Sequence, residues 1–468
     1  MPNESAALKA APSRNARTQR LLEGPILPTM LRLAGPNVLV MATLTGIGLI
    51  ELYFVAQLGV DVLAGVSYVF PLLALLTAIS QGSVGGAVVS VIARAIGAGR
   101  VQDASELAWY AIAIAVAFGL GTTLIVLTFG PSYYAAMGAN GPVLDAAVTY
   151  STLVFGGATL IWIFNLLLAV VRGTGNLAVP VKIVCGGAIL LVPLSPALIF
   201  GVGSLPGLGV AGGAIALLLY YGLGSIAFAW FVWGEGSGLE LSRRPPKFEL
   251  GRALQIVRLG GMSALVSSST NLTIAIMTGL VATQGLAAVA GYGAGARLEI
   301  LLVPISYGTA GPAAILISTN LGAGQVQRAL RTAWVGVLAA GIVGELIGLT
   351  AALWPSVWLS AFTNDAAAIE AGSAYLQTVG PFFGMFAVGY ALYCAGQGVG
   401  RMGWPIAAAL LRAVAAIGGG LLALHMGAGA NGLFTAVSVG MLVFGLCSLP
   451  SLLRQEGYRS PMEPAPAQ

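Results

Sequence analysis

Charge is what this 468-residue sequence has least of: 8% of its residues are Asp, Glu, Lys or Arg, against 57% hydrophobic. A soluble globular domain carries about 25% charged residues. A chain of this length with so few charges cannot cover a water-facing surface, which excludes a soluble enzyme and leaves lipid as its surroundings. Cysteine is scarce as well. Cys185, Cys394 and Cys447 each lie in an apolar run without metal-ligand spacing, and read as small buried hydrophobes. The one histidine, His425, falls at the end of an apolar run. The apolar runs hold no His/Asp/Cys cluster for catalysis and no filter-like repeat for a channel. No GxxxxGK[ST] loop is present, so energy must come from an ion gradient or a partner. The opening MPNESAALKAAPSRNARTQR lacks an apolar core and reads as a polar tail, not a cleavable signal. No cofactor and no nucleic-acid partner is called for.

What is abundant fits a membrane. The 66 glycines allow close helix approach in lipid, and the 23 prolines mark kinks and broken helices. Apolar runs of bilayer length predict twelve spans, at about 29–57, 62–92, 105–130, 144–170, 180–202, 210–233, 254–282, 287–318, 332–354, 367–395, 405–425 and 432–453. If the chain starts on the cytoplasmic side, seventeen Lys and Arg from Lys9 to Arg459 fall inside. The outer breaks then carry none and hold Asp61 and Asp365 instead. That bias predicts cytoplasmic termini.

The sequence also repeats itself. IARAIGAGRVQDASELAW (92–109) and ISTNLGAGQVQRALRTAW (317–334) agree at half of 18 positions, 225 residues apart. Within a residue, the same shift pairs Tyr150 with Tyr375, Pro180 with Pro405 and Asn140 with Asn364. Each copy holds an even number of spans, so both sit in the membrane with the same orientation around a central cavity. The expected organisation is a tail over 1–24, a first lobe over 25–233, a basic linker over 234–252, a second lobe over 253–453 and a tail over 454–468.

The motifs IELYFVAQLGVDVLAGVS after Gly35-Pro36, IGAGR, VRGTGNLAVPVKI, SPALIFG, GYGAGARLEILLVP and LGAGQ occur in this order from about Gly24 to Leu453. In this order the sequence resembles the MATE (multidrug and toxic compound extrusion) transporters, and their DinF-like branch most closely. The resemblance implies a V-shaped, twelve-helix antiporter, a monomer in the bacterial inner membrane. It would export amphipathic, often cationic compounds in exchange for protons, with sodium the second candidate. A flippase of lipid-linked precursors from the same superfamily is the rival reading. It would call for a basic cavity, whereas the intramembrane charges here are few and mixed.

Ionisable residues inside a membrane are functional candidates by default. Here they are Glu51, Arg297, Glu299, Glu345 and Arg412. A carboxylate in an apolar cavity is held toward its protonated form by desolvation, and when ionised it can hold a cation. The resemblance places a coupling acid at Glu51; the alternative is a carboxylate snorkelling to the outer interface. It makes Pro36 a gating kink and Arg297 with Glu299 an RxE-like element, either functional or a structural ion pair. Tyr68, Tyr292, Asn271 and Ser195 are candidate cavity-lining residues. Two departures stand out. Leu191 and Ser195 occupy the span-five places where the branch has an Asn and an Asp, so its two-acid network is absent, and the seventh span, SALVSSSTNLTIAIMTGL, lacks the acid of the sodium-linked branch.

Overall fold

The computed structural model describes residues 16–203, 205–242 and 244–453. The tails over 1–15 and 454–468, with Ser204 and Arg243, lie outside the described residues. The chain opens with a short amphipathic helix, α1 (Ala16–Glu23). The first repeat follows as α2 (Ile26–Ala56), α3 (Val60–Thr77), α4 (Gly85–Gly97), α5 (Val101–Ala136), α6 (Gly141–Gly156), α7 (Ala158–Gly173), α8 (Ala178–Phe200) and α9 (Val210–Trp233). The second comprises α10 (Leu250–Ala282), α11 (Leu286–Gly322), α12 (Val326–Leu353), α13 (Pro355–Leu359), α14 (Ala366–Val379), α15 (Phe383–Val399), α16 (Gly403–His425), α17 (Gly429–Ser448) and α18 (Pro450–Leu453).

Eleven spans are long and apolar enough to cross a bilayer, three of them made of two elements in line (α3 with α4, α14 with α15, α17 with α18), and α6 with α7, bent by 49°, makes a twelfth. The fold is thus an all-α membrane protein of two parallel six-span repeats around a central cavity. One small exception is a hairpin of two-residue strands, Gly201–Val202 with Leu205–Pro206, between α8 and α9.

Three spans are interrupted well inside their length, each for a local reason. A π-helical stretch, Ala78–Val84, joins α3 to α4; such segments concentrate at functional sites because they re-aim backbone carbonyls. Between α6 and α7, Gly156-Gly157 permits the bend. Between α14 and α15, Pro381 lacks an N–H and a 3₁₀ turn over Gly380–Phe382 intervenes. There the carboxylate of Glu345 accepts the Gly384 N–H at 3.1 Å, capping the start of α15. Glu345 therefore has a structural task.

The halves meet along α2 with α11, α4 with α11, and the π-helical stretch with α10. The hydrogen bonds joining them lie toward the side where α2 begins and α17 ends, here the terminal face. Pro312 cannot donate to the Gly308 carbonyl four residues back; the Asn37 side chain, next to Pro36 in α2, does so instead at 3.0 Å and also reaches the Tyr307 carbonyl at 3.1 Å. Ser90 Oγ donates to the Gln397 carbonyl at 2.7 Å, and Arg94 Nη2 to the Gly398 carbonyl at 2.7 Å. Helix α1 lies across this face. Its Leu21 carbonyl accepts from Asn320 Nδ2, and Arg328 donates to the carbonyl of the following Gly24.

Candidate functional site

Between the halves lies a cavity of about 390 Å³. Its walls come from α2, α3, α6, α7 and α9 of the first repeat and from α10, α11 and α15 of the second. Most lining side chains are aliphatic. Gln81, Asn165, Ser267, Thr270 and Asn271 supply neutral polar groups, and Phe70, Tyr150, Tyr221, Tyr307 and Tyr390 supply rings. Glu51 is the one ionisable Asp, Glu, Lys, Arg or His among the residues lining it.

Glu51 sits fifteen residues past Pro36 on the continuous helix α2. It is 4% exposed, and its Oε1 accepts a hydrogen bond from Tyr150 Oη at 2.8 Å. Opposite it α9 presents Gly213, where a Cβ would come within 3.3 Å of Oε1. A glycine there makes room for the longer glutamate arm. No salt bridge among the described residues involves Glu51. When protonated it is a neutral wall residue; when ionised it is a buried charge that needs a cation beside it.

The second repeat holds its buried acid differently. Glu299 on α11 is 1% exposed and forms a salt bridge with Arg412 Nη2 at 2.8 Å. Its other oxygen accepts from Tyr375 Oη at 2.9 Å. The Arg412 guanidinium lies over the Phe386 ring at 4.8 Å, with Nη1 donating to Thr270 Oγ1 at 3.3 Å. Tyr150 and Tyr375 are repeat equivalents, yet their acids come from different helices: α2 in the first half, α11 in the second. The repeat thus supplies one tyrosine scaffold for two unlike carboxylates, one alone and one neutralised.

The other candidates are placed as follows. Arg297 points away from Glu299, is exposed, and lies over the Phe362 ring at 4.9 Å. Asn271 lines the cavity and donates to the Ser267 carbonyl at 2.9 Å. Tyr68, Tyr292 and Ser195 are not among the lining residues. Tyr68 is partly buried against the hydrophobic core. Tyr292 is enclosed in a ring cluster with Tyr375 and Phe434. Ser195 is buried, and its hydroxyl has no hydrogen-bond partner among the described residues. Their helices were correctly read as spans; which face of a span meets the cavity depends on neighbours that the sequence does not align. The sequence reading did not single out Tyr150 as a partner for Glu51. Its signal was the 225-residue pairing with Tyr375.

Comparison with known proteins agrees with this architecture. The MatE family profile matches residues 36–197 and again 261–422, the second match starting 225 residues after the first (261 against 36). The chain is 28% identical over 365 residues to the FAD transporter of Shewanella oneidensis, covering 76% of this chain and 78% of that protein. It is 24% identical over 312 residues to the probable multidrug resistance protein NorM of Thermotoga maritima, covering 66% and 67%. It is 25% identical over 441 residues to that of Deinococcus radiodurans, covering 90% and 93%. Among solved structures, MATE in the bent conformation superposes with a TM-score of 0.88 at 22% identity, covering 95% of this chain and 98% of that one. An outward-facing multidrug resistance MATE family transporter superposes at 0.85, also at 22% identity, covering 95% and 99%. With both repeats matched and the twelve-span architecture shared, the chain belongs to the MatE family of membrane transporters.

Proposed function

We propose that this protein exports amphipathic organic cations in exchange for protons, with Glu51 binding the proton and the substrate cation in turn. The observation that carries this reading is the cavity's single ionisable side chain, a carboxylate with one tyrosine hydrogen bond and no cationic partner. Proton binding discharges the wall, and proton loss creates a site for a cation between aromatic faces. Transport then proceeds by alternating access, the two repeats rocking about the cavity. The basic breaks of the sequence support cytoplasmic termini in a bacterial inner membrane. With that orientation, the terminal face is the cytoplasmic one and the contacts described above close it.

The same cavity weighs against two rivals. A lipid-linked phosphate or a flavin dinucleotide, the substrate named for the Shewanella relative, carries negative charge. No Lys, Arg or His lines the cavity to hold it. Sodium fits less well than protons, because the seventh span offers hydroxyls and an amide but no acid.

The test is uptake of one fluorescent organic cation into proteoliposomes under separate proton and sodium gradients. Uptake is expected with the proton gradient and should stop when an ionophore collapses it. Uptake that persists on a sodium gradient alone would overturn the proton assignment.

A further inference from the structure

The twin GAG motifs, the strongest repeat signal in the sequence, have no task in the functional reading above. Gly97 and Gly322 are equivalent at the 225-residue shift, as are Arg94 and Thr319. The structure brings the four together. A Cβ on Gly97 would lie 2.0 Å from the Thr319 carbonyl oxygen, and a Cβ on Gly322 would lie 2.0 Å from the Arg94 carbonyl oxygen. The ends of α4 and α11 thus cross backbone against backbone, each glycine seated on the other helix. The second glycine of each motif does separate work: Gly99 and Gly324 turn the chain at φ of +76° and +75°.

The same symmetry recurs deeper in the membrane. Gly86 and Gly311 are repeat equivalents, and so are Arg172 and Gln397. A Cβ on Gly86 would lie 2.4 Å from Gln397 Oε1, and one on Gly311 would lie 3.4 Å from Arg172 Nη2. Each half therefore lays a long polar side chain over a glycine of the other. Gln397 Nε2 donates across to the Gly82 carbonyl of the π-helical stretch at 3.0 Å. Arg172 is buried in the first half, yet its guanidinium lies 5.0 Å from the centre of the Tyr307 ring in the second. No salt bridge among the described residues involves Arg172.

We propose that these residues form a two-fold-related lock that closes the terminal face. Gly97 and Gly322 are its contact, Arg172 and Gln397 are its positioning residues, and the lock sets which face of the cavity is open. Close backbone approach at both glycines is possible only with the halves together, and both side chains lose their cross-half partners when the halves part. The inference rests on alternating access for its consequence in transport, but the lock can be read without any transport.

The experiment places nitroxide pairs on Gln102→Cys with Gln327→Cys at the terminal face, and on Asp61→Cys with Leu286→Cys at the opposite face. Cys185, Cys394 and Cys447 are replaced by alanine, and distances are measured by pulsed electron resonance in lipid nanodiscs. The unsubstituted glycines should give one short terminal distance. Gly97→Ala and Gly322→Ala should each turn a longer terminal distance into the major population and shorten the opposite pair. Gly121→Ala, inside α5 with helical backbone and nothing within 4 Å of its Cβ, should leave both distributions unchanged. If added volume prevents insertion, Arg172→Met with Gln397→Leu removes the lock without enlarging it and should open the same face. Arg172→Lys, which keeps the cation over Tyr307, should restore the short distance beside native Gln397. An unchanged terminal distance in inserted Gly322→Ala, or in the Arg172→Met, Gln397→Leu protein, overturns the lock. Failure of the coupling reading would instead appear as loss of proton-driven uptake with these distances intact.

Discussion

Glu51→Gln is expected to reduce gradient-driven export to the rate of protein-free liposomes, while the protein still inserts and elutes as the native chain does. Glutamine keeps the shape and can still face Tyr150, but it neither releases a proton nor carries a charge. If Glu51 alternates between proton and substrate, both halves of the exchange stop together. Tyr150→Phe separates orientation from charge. It removes the one hydrogen bond that positions the carboxylate, at 2.8 Å. A hydrogen bond to a charged group contributes about 1.5–3 kcal/mol, so a loss of roughly tenfold or more in export is expected, short of abolition. Transport at native rates in Glu51→Gln would remove this residue from the mechanism and move attention to the second repeat.

Breaking the Glu299–Arg412 pair should damage stability far more than coupling. Glu299→Gln strands a guanidinium that cannot shed its proton, buried over Phe386 and near Phe444. Losing one member of a buried pair costs about 3–5 kcal/mol. Arg412→Met should cost less, because a stranded carboxylate can take up a proton. Combining Glu299→Gln with Arg412→Met should recover most of the loss, since two neutral groups of similar volume no longer need each other. Thermal unfolding in detergent reads the stability, and the liposome assay reads the coupling. The double variant is expected to keep proton-driven export. If it unfolds like the native chain but no longer couples, Glu299 belongs to the ion pathway after all.

The contrast between these two acids shows where sequence reading reaches its limit. Both were legible as intramembrane carboxylates, because a charge inside an apolar run is visible one residue at a time. Their different states were not. Glu51 meets Tyr150 from 99 residues away, and Glu299 meets Arg412 from 113 residues away. The Tyr150/Tyr375 repeat pointed to a shared scaffold, but the repeat gives no acid at the same position in both halves. The broken spans were partly legible: Gly156-Gly157 and Gly380-Pro381 stood within stretches read as single spans. The π-helical stretch was invisible, since AISQGSV carries no breaker that demands it.

Composition, run length and internal repetition are properties of the chain itself. By themselves they determined a membrane protein, twelve spans, two parallel halves and a short set of buried ionisable residues. A bilayer accepts only long apolar helices with their backbone groups satisfied, so span number follows from local hydrophobicity. Only the tertiary structure decided which acid stands alone, which is neutralised, and along which face the halves are hydrogen-bonded. Those outcomes depend on helix rotation and on glycine contacts between distant segments, and in lipid close packing between helices, not hydrophobic burial, selects them.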